Sequence, residues 1–150
     1  MDSTDHRILR ALARNGRLTN AELAEEVGLS LPLLDAVRRL EQSGVIKGYA
    51  ALLDQAELGL PDTVFVEVMM DKHDEAALAR FEQAVNSTPE ILECHLTTGD
   101  YDYLIKAAVS GTAGYEALLR EKLYRLPGVR HTRSAFALRC LKRSLSPIAS

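Results

Sequence analysis

The sequence contains few cysteines and no long apolar run. Its two cysteines, Cys94 and Cys140, show no CxxC or CxxH spacing, which favours reduced packing residues of a cytosolic protein over a disulfide or zinc framework. No apolar stretch approaches the roughly 18 residues that a membrane span needs. The polar, acidic start of the chain excludes a secretory signal. We therefore expect a cytoplasmic protein.

The sequence also lacks an excess of charge of either sign. The net charge of −3 at pH 7 argues against a general polyanion binder, so any nucleic-acid surface must be local. Residues 1–53 carry seven cationic and seven anionic side chains. DNA binding by this region would therefore depend on where the charges lie and on more than one copy of the chain.

Patterns of catalytic and metal-binding residues are missing as well. There is no nucleophile elbow, phosphate loop or catalytic cysteine pattern. His73, His95 and His131 are scattered without metal-ligand spacing. We therefore expect no enzyme activity, no metal and no cofactor.

The first third of the chain predicts short helices. An apolar stripe over residues 5–14, with Asp5 as the cap, predicts the first helix. Thr19 or Asn20 would cap the second helix, in which a glutamate follows Thr19 at the capping-box position. Gly28 stands where a tight turn needs a positive φ.

A third helix is predicted from a Ser30 cap, with Pro32 in its first turn, to about Gln42. Its predicted inner face consists of Leu33, Leu34, Val37 and Leu40. Its predicted outer face, from the i, i+3, i+4, i+7 spacing, consists of Asp35, Arg38, Arg39 and Gln42. Residues 45–53 read as a strand or short hairpin. Three helices and a strand in this order predict a winged helix-turn-helix over residues 1–53.

In such a motif the second helix of the pair enters the major groove of DNA. Arginine reaches guanine edges or phosphates and glutamine reads adenine, whereas Arg17 and Lys47 would contact phosphates. Asp35 would either accept from a cytosine amino group or pair with Arg38 or Arg39, and we favour the intrahelical pair. The alternative is that the outer face is simply solvated. The predicted DNA-contacting residues are Arg17, Asn20, Ser30, Leu31, Pro32, Asp35, Arg38, Arg39, Gln42 and Lys47.

After a polar linker at residues 54–62, the chain contains a weak repeat of two βαβ units. The predicted strands are 63–70, 91–98, 103–109 and 129–141, and the predicted helices are 74–87 and 114–126. Tandem βαβ units make a ferredoxin-like βαββαβ fold. We thus expect an α+β protein with a ferredoxin-like domain at 63–142 and a C-terminal tail at 143–150.

The predicted strands are apolar on both faces. Val64, Val66 and Val68 fall on one side of the first strand, and Phe65 and Met69 fall on the other. A sheet covered by helices on one side only should alternate with polar residues. The second apolar face therefore predicts a second sheet stacked upon it, most simply from another copy of the chain.

The segment from Thr97 to Tyr103 is richer in functional groups than a hairpin turn requires. Its glycine frees backbone N–H groups for a carboxylate, and Asp100 or Asp102 could take an ammonium group, which together would suit an amino acid zwitterion. The alternative is a capped turn in which Asp100 bonds to its own backbone.

The chain resembles the Lrp/AsnC (leucine-responsive/asparagine-related) family of bacterial and archaeal regulators from about Asp5 to Lys142. The order and spacing of several short segments carry the resemblance: Asp5…Ile8-Leu9, Asn15-Gly16-Arg17, Ala21-Glu22-Leu23-Ala24, Val27-Gly28-Leu29-Ser30, Val37-Arg38-Arg39-Leu40-Glu41, Gly44-Val45-Ile46, Ala51-Leu52-Leu53-Asp54, Glu93-Cys94-His95-Leu96, Thr98-Gly99-Asp100-Tyr101-Asp102-Tyr103-Leu104, Leu126-Pro127-Gly128-Val129 and Thr132-Arg133.

The resemblance implies a winged-helix DNA reader joined to a ligand-responsive domain that forms dimers and, in many members, octamers. It also implies an amino acid or related effector between subunits. The implied effector-binding residues are Thr98, Gly99, Asp100, Tyr101, Asp102 and Thr132. Residues 30–40 depart from the family pattern: the segment is one residue shorter, lacks a threonine, and has Ala36 where arginine is common.

Two other functions fit the same architecture. A sirohaem decarboxylase group resembles it with the DNA-reading role lost, but such an enzyme needs cationic and histidine groups around a tetrapyrrole. The sequence offers no obvious histidine cluster. A metabolite-binding module without a DNA role is the other, and the predicted helix-turn-helix argues against it.

Overall fold

A computed structural model describes residues 1–28, 33–71 and 74–148. The chain divides into two compact units. One unit combines residues 1–52 with the C-terminal segment from residue 141 onward, and the other spans residues 53–140. No helix within the described ranges is long and apolar enough to cross a membrane.

The first unit contains three helices, α1 (Ser3–Arg14), α2 (Asn20–Val27) and α3 (Leu33–Gln42). A capping box starts α1: the Asp2 side chain accepts from the Asp5 N–H, and the Asp5 side chain accepts from the Asp2 N–H. The prediction of Asp5 as the cap was therefore wrong, because Asp5 occupies the third helical position. The predicted cap Ser30 lies outside the described residues.

Thr19 caps α2 through the predicted capping box with Glu22. Helix α2 then ends at Gly28, whose φ of 74° places it in the left-handed region. Both predictions are confirmed. The short connection between α1 and α2 is held by Asn15, whose side chain accepts from the Arg17 N–H at 3.0 Å.

The three helices share one apolar core. Its buried members are Ile8, Ala11, Leu23, Val27, Leu33, Ala36, Val37 and Leu40. On α3 the buried side therefore includes Ala36, at 3% exposure, whereas Leu34 is 42% exposed. The prediction that Leu34 faces inward was wrong, because the buried stripe of α3 runs through Leu33, Ala36, Val37 and Leu40 and Leu34 falls outside it.

The segment after α3 is irregular. Ile46 donates its N–H to the Leu40 carbonyl at 3.0 Å and packs against the core. No strand or hairpin forms over residues 45–53, all of which the structure describes. The predicted strand is thus absent from the single chain, because a strand needs a neighbour for its backbone hydrogen bonds.

The second unit is a four-stranded antiparallel sheet with two helices. Its elements in chain order are β1 (Asp62–Met70), α4 (Glu75–Asn86), β2 (Ile91–Leu96), β3 (Tyr103–Val109), α5 (Gly111–Glu121), a 3-10 turn (Leu123–Arg125) and β4 (Val129–Phe136). The strand order β2-β3-β1-β4 is that of the βαββαβ ferredoxin-like fold. The predicted α+β class is confirmed. Two predicted bounds were wrong: β4 ends at Phe136 rather than at residue 141, and the helix predicted at 114–126 begins at Gly111 and is followed by the 3-10 turn.

The core of this unit lies between the sheet and its helices. Val64, Val66 and Val68 of β1 are fully buried and pack with Phe81 of α4 and Leu118 of α5. The Phe81 and Tyr103 rings stack with their centroids 4.3 Å apart. The helices thus cover the central part of one face of the sheet.

The opposite face of the sheet has a mixed character. Phe65 is 40% exposed there, and Ala135 lies beside it in the register of β4. Glu67 on the same face pairs with Arg133 at 2.9 Å. The predicted second apolar face is therefore present along the middle of the sheet but is crossed by an ion pair.

Candidate functional site

The outward face of α3 presents four polar side chains. Asp35, Arg38, Arg39 and Gln42 are all exposed. Burial of Leu33, Ala36, Val37 and Leu40 fixes the rotation of the helix, so the predicted outer face is brought together as expected. Two guanidinium groups and an amide on one helical face supply the donors and the acceptor that base edges and phosphates require.

The predicted intrahelical pair of Asp35 is absent. Within the described residues Asp35 forms no ion pair with Arg38 or Arg39, and all three residues are exposed. Arg39 instead lies near the start of α1. The hydrogen bond from the Asp5 N–H, and to a smaller extent the positive charge of Arg39, lower the pKa of Asp2.

The other residues predicted to contact DNA lie around α3 in the same unit. Arg17 is exposed before α2, Asn20 is exposed at the first position of α2, and Lys47 is exposed in the irregular segment after α3. Ser30, Leu31 and Pro32 fall outside the described residues.

One basic feature of this unit was not singled out from the sequence. Arg7, Arg10 and Arg14 repeat along α1 at i, i+3, i+7 spacing and, with Arg143, line a groove of about 670 Å³ beside the C-terminal segment. The arginine spacing was the available signal. Arg14 pairs with Glu26 of α2 and Arg7 donates to the Thr4 hydroxyl, so part of this charge stabilises the helices themselves.

The loop between β2 and β3 is tightly closed. The Thr97 N–H donates to the Asp102 carbonyl at 2.9 Å, and the Thr97 hydroxyl donates to the Tyr101 carbonyl at 3.2 Å. Gly99 has a φ of 111°, a conformation that favours glycine. Thr98, Gly99 and Asp100 form the exposed tip of this loop.

The two aspartates of the loop have different surroundings. The Asp102 carboxylate accepts from the Met70 N–H at 2.7 Å, and the Asp102 N–H donates to the Val68 carbonyl at 2.9 Å. Asp102 therefore anchors the loop to the end of β1. Asp100 is exposed, and within the described residues its side chain forms no hydrogen bond with the backbone of the loop, so the alternative of a turn capped by Asp100 is not seen.

Thr132 lies near the same end of β1. Thr132 is half-buried in β4 and pairs with Val68 of β1 in the register of the sheet. The carbonyl of Val68 accepts a hydrogen bond from the Asp102 N–H. The sequence-predicted effector residues are thus gathered around the end of one strand. Tyr101 is half-buried beside them.

No histidine within the described residues belongs to a metal-binding cluster. Across the described ranges no group of three or more histidine, cysteine, aspartate or glutamate side chains has metal-binding geometry. His95 pairs with Glu93 at 3.1 Å, His131 lies in β4 opposite Met69, and His73 lies outside the described residues.

Comparison with known protein families matches both units. The Lrp/AsnC ligand binding domain matches residues 63–147, and a winged helix-turn-helix DNA-binding domain matches residues 1–47. The chain belongs to the Lrp/AsnC family. It is therefore a transcriptional regulator with a DNA-binding winged helix-turn-helix and a ligand-binding domain, and the predicted family, fold and regulatory function are confirmed.

Individual relatives support this assignment. The chain is 43% identical over 145 residues to the leucine-responsive regulatory protein of Escherichia coli K12, covering 96% of this chain and 88% of that protein. A Neisseria meningitidis transcriptional regulator in complex with L-methionine superposes with a TM-score of 0.92 at 35% identity, covering 97% of this chain and 95% of that one. Escherichia coli AsnC superposes with a TM-score of 0.82 at 27% identity, with 95% of each chain covered.

Proposed function

We propose that this regulator reads double-stranded DNA through the outer face of α3 as a cytoplasmic homo-oligomer, and that an amino acid effector modulates its DNA affinity or assembly. The observation that carries the proposal is the exposed face of Arg38, Arg39 and Gln42, fixed in rotation by the buried face behind it. The protein acts by binding rather than by catalysis, in line with the regulatory names of its relatives.

The DNA-contacting roles divide by chemistry. Arg38, Arg39 and Gln42 would read base edges, and Arg17 and Lys47 would contact phosphates and position the helix. Asn20 at the start of α2, with Ser30, Leu31 and Pro32, completes the proposed surface. The unpaired Asp35 would accept from a base amino group or repel a phosphate at that point, so it contributes to selectivity rather than to affinity.

A DNA-binding measurement tests the reading face. A binding site is selected from random DNA with the wild-type protein, and affinity is measured by fluorescence anisotropy over a range of salt concentrations. Arg38→Ala and Arg39→Ala should each weaken specific binding by about tenfold or more, the cost of one lost bidentate base contact.

The matched control is Arg80→Ala, which removes an exposed arginine from α4 in the other unit. This variant should bind like the wild type. Specific binding that survives in the Arg38→Ala/Arg39→Ala double variant would place the reading face elsewhere.

The proposed effector site is the tip of the β2–β3 loop with its neighbours. Backbone N–H groups around Gly99 suit a carboxylate, and the exposed Asp100 suits an ammonium group. The proposed site also includes Thr98, Tyr101, Asp102 and Thr132. The L-methionine bound to the Neisseria meningitidis relative favours an amino acid as the effector class.

Thermal-shift measurements with each of the twenty amino acids test this site. At millimolar concentration at least one amino acid should raise the unfolding temperature of the wild type, and the shift should be lost in Asp100→Ala. Asp100 is the appropriate position because Asp102 also anchors the loop to β1. Absence of any shift in the wild type would favour a regulator that works without an amino acid effector.

A further inference from the structure

A cleft of about 400 Å³ lies between α4 and the edge strand β2. This volume is within the range of about 300–1,000 Å³ that is usual for small-molecule sites. None of the residues at the tip of the β2–β3 loop lines it. The cleft is lined by Glu82, Val85, Asn86, Thr88, Pro89, Ile91, Leu92, Glu93, Cys94, Leu96 and Tyr103.

The inner wall of the cleft contains a buried phenol without a partner. Tyr103 is 3% exposed, and its hydroxyl has no hydrogen-bond partner within the described part of the chain. An unsatisfied buried hydroxyl is energetically unfavourable, and buried polar groups in folded proteins are almost always paired. Because stacking on Phe81 fixes the ring, the hydroxyl cannot simply turn towards solvent.

A negative charge lies beside this hydroxyl. Burial and, second to it, the carboxylate of Glu82 raise the pKa of Tyr103, and the same two causes raise the pKa of Cys94 to about 11. Glu82 is therefore close to both side chains. Glu82 is exposed, and in the described residues its carboxylate accepts no hydrogen bond and forms no ion pair.

Glu93, the other glutamate of the cleft, differs in this respect. Its carboxylate is held by His95 at 3.1 Å and by Lys106 at 3.4 Å, so its charge is compensated. The uncompensated negative charge of the cleft thus belongs to Glu82, and it lies next to an oxygen that can accept a hydrogen bond.

The outer wall of the cleft is apolar. Leu92 is 47% exposed and Leu96 is 71% exposed, although both belong to a strand of the sheet, and Val85 faces them from α4. Apolar surface of this kind gains free energy when a ligand covers it. The cleft therefore combines one acidic corner with one apolar wall.

We propose that this cleft binds a small organic ammonium ion with a compact apolar body. The ammonium group donates to the Glu82 carboxylate and to the Tyr103 oxygen, and the apolar body covers Leu92 and Leu96. An anion is disfavoured by the charge of Glu82. A metal ion is disfavoured because no suitable cluster of three ligating side chains exists in the described residues.

Saturation-transfer difference NMR on the full-length protein tests the proposal with 2-phenylethylamine as the probe. The matched neutral probe, 2-phenylethanol, has the same apolar body without the ammonium group. The amine should bind, and the alcohol should bind at least about tenfold more weakly, the factor that one charged hydrogen bond contributes. Equal binding of the two probes would overturn the proposal.

Two variants locate the site. Glu82→Gln should weaken amine binding by about tenfold and Tyr103→Phe by roughly threefold to tenfold. The control Glu57→Gln, which removes an exposed glutamate before β1, should bind the amine like the wild type. Unchanged amine binding in both cleft variants contradicts the proposal.

Two further readouts distinguish a ligand-binding hydroxyl from a structural one, and the cleft from the β2–β3 loop. Without a ligand, Tyr103→Phe should unfold at the same temperature as the wild type or at a higher one, because it removes an unpaired hydroxyl. A lower unfolding temperature would mean that the hydroxyl has a structural partner and would overturn the proposal. Asp100→Ala should leave amine binding intact, whereas loss of binding there would assign the probe to the β2–β3 loop and reject the cleft.

Discussion

Asp100 and Asp102 lie two positions apart and differ in what each carboxylate can do. One carboxylate oxygen of Asp102 accepts a hydrogen bond from the Met70 N–H, and the Asp102 N–H donates to the Val68 carbonyl of β1. Asp100 is exposed at the loop tip. Asp102 therefore anchors the loop, whereas the exposed Asp100 is the residue that we propose contacts the effector. Composition places both residues in the loop without distinguishing these tasks.

The thiol of Cys94 provides a prediction at the scale of a single residue. Burial, with the charge of Glu82, raises its pKa to about 11. Because the thiolate is the reactive form, iodoacetamide at pH 7.5 should modify the exposed Cys140 and leave Cys94 largely unmodified. The rate at Cys94 should then rise about tenfold per pH unit as the pH approaches 11. Peptide mass spectrometry after timed labelling measures both sites.

Cys140→Ser is the control, since it leaves Cys94 as the single thiol of the chain. Total labelling of this variant at pH 7.5 should be slow. Fast modification of Cys94 at neutral pH would mean that the thiol is neither buried nor close to a negative charge.

At the scale of the elements, α1 and α2 begin with the same device. Each has a capping box in which two side chains satisfy two backbone N–H groups that would otherwise lack partners. The turn after α2 depends on a different property, the left-handed backbone of Gly28. Caps fix where the helices start, and this glycine fixes where α2 stops.

Gly28→Ala should destabilise the protein by about 1–2 kcal/mol, the cost of a left-handed conformation for a residue with a Cβ. A new Cβ at this position would meet no atom of the described residues within 4 Å, so the cost is conformational rather than steric. The measurement is urea unfolding followed by far-ultraviolet circular dichroism.

Gly114→Ala in α5 is the matched control, and it should change the stability of the protein in the opposite direction. Its added Cβ would lie 3.5 Å from the Ser110 Cβ, which is ordinary van der Waals contact. This variant should gain about 0.5–1 kcal/mol, because glycine is unfavourable within a helix. Equal effects from the two substitutions would show that backbone conformation does not govern the turn.

The sequence predicted the order of the elements well, since helical spacing, caps and the βαβ repeat are local signals. The sequence placed Leu34 on the wrong face, because two adjacent leucines at the start of α3 do not show which of them points towards the core. Packing in the folded chain buries Leu33 and Ala36 instead. The burial of Ala36 also explains why this chain has alanine where arginine is common in the family. A side chain larger than alanine at this position would have to enter the core.

Other features depended on contacts distant in sequence. The bond between Asp102 and the Met70 N–H joins residues 32 positions apart, and no spacing rule predicts it. The strand predicted at residues 45–53 is absent for a related reason. A local preference for extended backbone does not show whether a neighbouring strand is available to pair with it. The Tyr103 hydroxyl gave no signal in the sequence, because burial without a partner is a property of the folded chain.

At the scale of the whole molecule, the uncovered sheet face gives a prediction about assembly. We expect the wild type to sediment as a dimer or a larger oligomer, with sheets packed through the face that contains Phe65. Phe65→Asp should shift the protein towards the monomer at micromolar concentration, because an unpaired charge would be buried in the interface. Analytical ultracentrifugation measures the distribution.

Tyr124→Asp is the control, because Tyr124 is an exposed aromatic residue of the 3-10 turn, outside the sheet. Its sedimentation should match the wild type. A wild-type protein that remains monomeric at this concentration rules the arrangement out.

The grouping of residue 141 onward with residues 1–52 has a consequence for the path of the chain. The ligand-binding unit is an insert within the chain of the DNA-reading unit, and the polypeptide passes between the two units twice. The covalent chain leaves the DNA-binding unit at residue 52 and returns to it at residue 141, so both ends of the ligand-binding unit are attached to the same neighbouring unit.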